Sequence, residues 1–296
     1  MAPALDVVAF ALLPAVLWGF SPIVSKRGMA AGGTSLQASL VVVVVDTTIY
    51  WSALLLVRGV DPLVGLSART LGVFAFAGLV GTSLGRLAVF TGVDRVGASV
   101  NSAGVSTRPL FATALAVVWL GEAVTLPTVL GVLVLVAGLV VLALAKGGDV
   151  SGWEPRDLLF PVAAAAAFAV GNVVRKFGLE TTPATTLQAV AVNETAALVG
   201  LAGYALATDR GDVFEMPRRT YGLFAVSGTI TAVALLSLFE AFARGPVAVV
   251  DPLAGTAPLF TTLFAAVLLR DLEEVTRGVV AGAALIVVGA GLITAL

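Results

Sequence analysis

Long apolar runs separated by short polar or Gly/Pro-rich gaps dominate the chain. A bilayer core about 30 Å thick needs roughly 20 apolar residues of helix, at 1.5 Å rise per residue. Ten segments are long enough, so the pattern predicts an all-α integral membrane protein with ten transmembrane helices. The predicted helices are Val7–Gly28, Leu36–Val57, Leu71–Val93, Val96–Leu120, Leu126–Ala145, Leu158–Gly178, Thr185–Ala207, Tyr221–Ala243, Val247–Leu269 and Val275–Ala295.

The segment 101–142 has the same polar and Gly/Pro positions as the segment 254–293, which indicates an internal repeat. The matched pairs are Pro109 with Pro258, Glu122 with Glu273, Gly131 with Gly282 and Gly138 with Gly289, at separations of 149 to 151 residues. Each half then holds five helices. Because five is odd, the second half must enter the membrane from the opposite side. We therefore predict two inverted-topology repeats, residues 1–146 and 158–296, joined by a connecting loop at 147–157.

Composition narrows the range of possible functions. The chain is 59% hydrophobic and 12% charged, with a mean hydropathy of +1.05. It has no His and no Cys, so imidazole chemistry, thiolate chemistry and the common metal sites built on them are not expected. The net charge of −1, without a Lys/Arg run, argues against a nucleic-acid partner. We expect no cofactor, no metal and no catalytic residues, and hence no enzyme.

Several residues together resemble the EamA repeat of the drug/metabolite transporter superfamily. They are Trp18-Gly19 with Lys26, then Pro109, Gly121-Glu122, Gly131 and Gly138. The second copy is less regular, with Phe168-Ala169 in place of Trp-Gly. The resemblance covers essentially the whole chain.

The resemblance implies a permease of the cell membrane that exports or exchanges a small polar metabolite by alternating access. The expected substrate is an amino acid or a related compound, bound in a cavity that the two halves share. A multidrug or organic-cation exporter of the same superfamily is the first alternative. A membrane-embedded lipid-modifying enzyme is the second. The oligomeric state is left open.

Four ionisable residues fall near the middle of predicted helices: Asp46, Arg86, Arg108 and Glu194. A charge at this depth costs about 2.5–3.5 kcal/mol on insertion scales, so each needs a partner or a wet cavity. One interpretation is a zwitterion site, in which an arginine binds a carboxylate and an acid binds an ammonium group or a coupling proton. The other is a pair of structural salt bridges, Asp46 with Arg86 and Arg108 with Glu194.

Uncharged polar and aromatic residues complete the candidate site. We expect Asn101, Asn172 and Asn193 to line a cavity, and Tyr50 to share a helix face with Asp46. Trp18 fits either a cavity wall or an anchor at the membrane surface.

The symmetry-related prolines Pro109 and Pro258 fit either a hinge for alternating access or a fixed kink. Glu122 and Glu273 lie at turns, where we expect helix caps or gate contacts. The orientation is contested, because loop Lys and Arg residues favour external termini, whereas the resemblance implies internal ones.

Overall fold

The helices of the computed structural model match the prediction closely. The structure describes residues 3–58, 66–145, 153–208, 213, 215–268 and 276–294, and omits the side chains of 98–99 and 265–268. These residues contain ten helices long and apolar enough to cross a membrane. They are α1 (Leu5–Ala30), α2 (Ser35–Val57), α3 (Ala68–Gly97), α4 (Val100–Leu120), α5 (Leu126–Ala145), α6 (Pro155–Thr181), α7 (Thr186–Ala207), α8 (Arg218–Arg244), α9 (Val247–Phe264) and α10 (Arg277–Thr294). Glu273, the predicted counterpart of Glu122, lies outside the described residues.

The ten crossings place both chain termini on the same side of the bundle. We call this the terminal side, and we call the side on which α1 connects to α2 the far side. Helices α1–α5 form the first repeat and α6–α10 the second, with α6 crossing in the opposite direction to α1. The inverted two-repeat architecture predicted from the sequence is therefore confirmed.

Two symmetry-related helices are broken within their membrane-spanning segments. In α4 the regular helix stops at Val105 and restarts at Arg108. In α9 it stops at Ala254 and restarts at Ala257. Because proline lacks an N–H and is tolerated in the first turn, Pro109 and Pro258 fit at the second position of each restarted helix. Gly/Pro-interrupted spans at matching positions in two inverted repeats are typical of binding sites in secondary transporters.

The interface between α5 and α10 depends on Gly282 and Gly289, the glycines that correspond to Gly131 and Gly138 in the internal repeat. A Cβ atom on Gly289 would lie 2.5 Å from the backbone nitrogen of Leu135, and one on Gly282 would lie 2.7 Å from that of Leu142. Helix association in lipid relies on such close backbone packing, because lipid tails are as apolar as the side chains. Each repeat thus contributes its last helix to this contact.

Helices α3 and α6 also approach closely near the centre of the bundle. A Cβ atom on Gly81 would lie 2.6 Å from the Cα atom of Gly171. Around this crossing α3 forms a π-helical segment, Gly78–Leu84, of the kind that often occurs at functional sites. The polar side chains of α6 are thereby brought against α3.

We predict that Gly289→Ala destabilises the protein by about 1–3 kcal/mol, because the added methyl group overpacks the α5–α10 interface. Gly291 provides a matched control on the same helix, since a Cβ atom there would meet nothing within 4 Å. Gly291→Ala should be neutral or slightly stabilising. Thermal unfolding of both purified variants in detergent measures the difference, and an equal shift in Tm would contradict the packing account.

Candidate functional site

Arg175 of α6 organises a buried polar network at the centre of the bundle. Its Nε donates to Asn193 Oδ1 at 3.0 Å, its Nη1 to Asn172 Oδ1 at 2.7 Å and its Nη2 to Thr82 Oγ1 at 2.8 Å. The guanidinium also lies 5.5 Å from the ring centroid of Phe239. Because each guanidinium nitrogen already has a partner, Arg175 serves to join α3, α6, α7 and α8.

Arg108 forms an ion pair with Asp251, across the breaks in α4 and α9. Its Nε lies 3.2 Å from Asp251 Oδ1, and its Nη2 donates to the backbone oxygen of Asp251 at 3.4 Å. Asn172 Nδ2 donates to the same carboxylate. The alternative that paired Arg108 with Glu194 is therefore wrong. Asn172 links this ion pair to Arg175, so the two arginines belong to one continuous network.

Asp46 and Glu194 form a second buried group, which lacks such partners. Both side chains are fully buried. Among the described residues, neither oxygen of Asp46 has a hydrogen-bond partner and Glu194 Oε2 has none, although Glu194 Oε1 accepts from Asn193 Nδ2 at 2.8 Å. The two carboxyl groups interact electrostatically with each other and with Arg86. Asp46 and Arg86 thus do not form the direct salt bridge that the sequence allowed.

A cavity of about 770 Å³ opens toward the far side, between the far-side ends of α1, α2, α3, α7 and α8. Among the described residues of its wall, Arg86 is the one arginine, and it is half-buried. Much of the remaining polar wall consists of hydroxyl groups. The polar lining residues besides Arg86 are Ser21, Ser25, Thr34, Ser35, Ser39, Thr91, Asp94, Tyr204, Ser227 and Thr231.

Hydroxyl groups connect α1 and α8 in a ladder along this wall. Ser227 Oγ lies 2.6 Å from Ser21 Oγ and 2.8 Å from Ser25 Oγ, and Ser21 Oγ lies 3.3 Å from Thr231 Oγ1. Hydroxyl groups both donate and accept hydrogen bonds, so the ladder can exchange its internal bonds for bonds to a polar ligand.

A smaller cavity of about 340 Å³ lies beside the broken helices and shares three lining residues, Trp18, Val89 and Val93, with the larger one. Of the predicted site residues, Trp18 lines both cavities and Arg86 lines the larger. Asn101, Arg108, Pro109 and Pro258 line the smaller. Asn172 and Asn193 lie in the Arg175 network, and Glu194 is joined to it by the hydrogen bond from Asn193. Tyr50 donates to the backbone of α8, and Asp46 has no hydrogen-bond partner among the described residues. All five are buried and line neither cavity.

The candidate site residues predicted from the sequence include neither Arg175 nor Asp251. Both Arg175 and Lys176 lie near the end of the predicted helix Leu158–Gly178, and they were counted among the charges of the adjoining loop. The helix instead continues to Thr181 and buries both basic side chains, at 4% and 7% exposure. Polar residues after Gly178, including Glu180, concealed this extra turn. Glu180 forms an ion pair with Lys176 at 2.9 Å.

Polar contacts seal the bundle on the terminal side. The carboxylate of Glu122 accepts from the backbone N–H groups of Val247 at 2.7 Å and Ala248 at 3.0 Å, which is a favourable position for a negative charge at the start of α9. Lys176 Nζ donates to the backbone oxygen of Phe242 at 2.9 Å, near the end of α8. The expected capping role of Glu122 is thus observed, and here the cap joins two repeats.

A second contact on the terminal side involves Arg244. Its guanidinium pairs with Glu240, as the i,i+4 spacing predicts, and lies 4.4 Å from the ring centroid of Phe10. Thr186 donates to the other oxygen of Glu240. Helices α1, α7 and α8 therefore meet closely on this side, whereas on the far side all three line the cavity.

The EamA-like transporter family model matches residues 6–144 and 156–295, one copy for each half. The chain belongs to the EamA-like transporter family. A crystal structure of a protein with 20% sequence identity covers 98% of this chain and 96% of its own, with a TM-score of 0.80. At that identity the likeness shows the shared fold alone. No curated protein matches the chain significantly.

Family membership and the ten apolar helices make this chain a multi-pass membrane transporter of the drug/metabolite transporter superfamily.

We predict that Arg108→Ala destabilises the protein by about 3 kcal/mol, because it leaves the fully buried Asp251 carboxylate without its ion pair. Adding Asp251→Asn should recover most of that loss, since the unpaired charge is then removed. Thermal unfolding of wild type, both single variants and the double variant measures the coupling. A double variant no more stable than Arg108→Ala would contradict this account.

Proposed function

We propose that this protein is a secondary transporter of the cell membrane that exports or exchanges a small polar metabolite by alternating access. The observation that supports it is the combination of an open, arginine-containing cavity on the far side with a polar seal on the terminal side. One face of the bundle is accessible while the other is closed, as expected for one half of a transport cycle.

The chemistry of the cavity supports a substrate that carries a carboxylate. Arg175 and Arg108 already donate to protein groups, whereas Arg86 faces the cavity. A guanidinium binds a carboxylate through two parallel hydrogen bonds, which gives both affinity and orientation. An amino acid or a related small acid fits this requirement, and the hydroxyl ladder supplies further hydrogen bonds. An organic cation would be repelled by Arg86.

We propose that opening of the terminal side requires Glu122 to release the start of α9. The helix breaks before Pro109 and Pro258 are the hinges in this proposal, because the restarted halves can tilt without breaking regular helical hydrogen bonds. The far-side cavity would close in the same movement. The substrate would then be released on the terminal side.

Counterflow in proteoliposomes loaded with unlabelled amino acids tests carrier activity. Labelled uptake by wild type should fall at least tenfold in Arg86→Ala and recover partly in Arg86→Lys, which keeps the charge but loses the bidentate geometry. Arg95→Ala is the matched control on the same helix, because Arg95 is 60% exposed and does not line the cavity. Equal loss in both alanine variants would argue against a binding role for Arg86.

The absence of native cysteine permits a direct test of alternating access. Ala38 lines the far-side cavity, and its repeat counterpart Ala189 is fully buried on the terminal side. In single-cysteine variants, a soluble maleimide should label Ala38→Cys rapidly and Ala189→Cys slowly. Adding Glu122→Gln should weaken the seal, so that labelling of Ala189→Cys becomes several-fold faster and that of Ala38→Cys slower. Unchanged rates at both positions would contradict the gating role.

A further inference from the structure

Asp46 and Glu194 are the buried ionisable side chains with unpartnered oxygens among the described residues. Burial removes the water that would otherwise stabilise a carboxylate, and nothing donates a hydrogen bond to Asp46 in its place. Glu194 is better satisfied, because Asn193 Nδ2 donates to its Oε1. Of the two, Asp46 is the stronger candidate to accept a proton.

The surrounding helices hold this carboxyl pair in place. One turn beyond Asp46, the hydroxyl of Tyr50 donates to the backbone oxygen of Ala232 at 2.7 Å, which fixes α2 against α8. Trp51 Nε1 donates to Thr195 Oγ1 at 2.9 Å, which fixes α2 against α7. Asp46 therefore remains buried beside Glu194.

The charges around the pair are balanced before any ligand binds. Arg86 of α3 and Arg175 of α6 are the cations that act on Glu194, and Arg86 also acts on Asp46. Arg108 and Asp251 form a separate, internally neutral ion pair. The faces of α1 and α8 toward the cavity contribute uncharged hydroxyls, Ser21, Ser25, Ser227 and Thr231. Two carboxylates and two guanidinium groups thus make up a neutral set.

An anionic ligand at Arg86 would disturb this balance. Its carboxylate would interact with the Arg86 charge that compensates Asp46 and Glu194. The four groups and the bound ligand would then carry one excess negative charge. Uptake of one proton by the carboxyl pair restores neutrality. A zwitterionic ligand brings its own positive charge, but the acid that lines the cavity, Asp94, is eight residues from Arg86 on α3. At about 1.5 Å rise per residue, Arg86 and Asp94 are too far apart for the carboxylate and the ammonium group of one α-amino acid to contact both.

We propose that the cavity takes a small, net-anionic carboxylic acid together with one proton, with the carboxylate on Arg86 and the proton on the Asp46–Glu194 pair. This inference rests on the proposed transport function and specifies its substrate class. The proton comes from cavity water and forms an O–H bond on a carboxylate oxygen, and it is returned when the acid leaves. Because linkage is reciprocal, the proton strengthens binding of the acid as much as the acid strengthens binding of the proton.

Matched pools of ligands test the proposal in proteoliposomes. One pool contains labelled amino acids, and the other contains the 2-hydroxy acid analogue of each, in which a hydroxyl group replaces the ammonium group. Acidifying the outside by one pH unit should drive accumulation of a 2-hydroxy acid up to about tenfold, the limit for one proton per acid. Protein-free liposomes correct for leakage of the undissociated acids.

Asp46→Asn should keep counterflow exchange of the 2-hydroxy acid but lose the accumulation driven by the pH gradient, because the neutral amide replaces the protonated carboxyl group and neither takes up nor releases a proton. Glu154→Gln, an exposed loop variant, should behave as wild type. Amino-acid uptake that is insensitive to the gradient, with no 2-hydroxy-acid uptake, would overturn this inference and leave the transport function standing. Uptake from neither pool would remove both.

Infrared titration of the purified protein tests the carboxyl pair without transport. Lowering the pH should produce the carbonyl band of a protonated, buried carboxyl group, and Asp46→Asn should abolish or shift it. Glu154→Gln should leave it unchanged. A band that persists unaltered in both Asp46→Asn and Glu194→Gln would overturn the assignment of the proton to this pair.

Discussion

Every polar group inside a bilayer must find its partner within the protein, and this constraint shapes the centre of the molecule. Arg175 meets it most fully, with a partner for each guanidinium nitrogen on three other side chains. Asn172 extends the network to the Arg108–Asp251 pair, because its amide accepts from one group and donates to the other. The helices that carry these side chains are consequently fixed relative to one another, and the remaining helices pack around them.

The two repeats share a backbone pattern but carry different polar side chains. Arg108 precedes Pro109 in the first repeat, whereas Ala257 precedes Pro258 in the second. Asp251 in the second repeat provides the anion that Arg108 needs, so the two broken helices complement each other across the pseudo-symmetry axis. This division suits a carrier, because identical repeats would place like charges opposite one another. The structure keeps the symmetry of the helices while making the site itself asymmetric.

The lengths of the apolar runs were sufficient to predict the ten helices, since the length of a membrane-spanning run is set by the thickness of the bilayer. Repeat spacing then predicted the inverted topology, and the position of Glu122 at a turn predicted a helix cap or a gate contact. The sequence could not predict which acid pairs with which arginine, because pairing depends on helix rotation and crossing. Arg175 shows the difficulty well. It lies near the end of the predicted helix Leu158–Gly178, where a charged side chain can reach the membrane surface or the buried centre, and the extra turn to Thr181 places it in the centre.

The three central arginines have different roles because the protein supplies different numbers of partners to each. Arg175 has partners for each nitrogen and Arg108 has Asp251, so binding a ligand at either would require breaking bonds already made. Arg86 is attracted to Asp46 and Glu194 but reaches the cavity. A ligand anion there competes only with a longer-range attraction, which costs less to replace than a direct ion pair. In the proposed mechanism, the lack of a direct contact between Arg86 and Asp46 is therefore the physical reason that Arg86 remains available to a substrate.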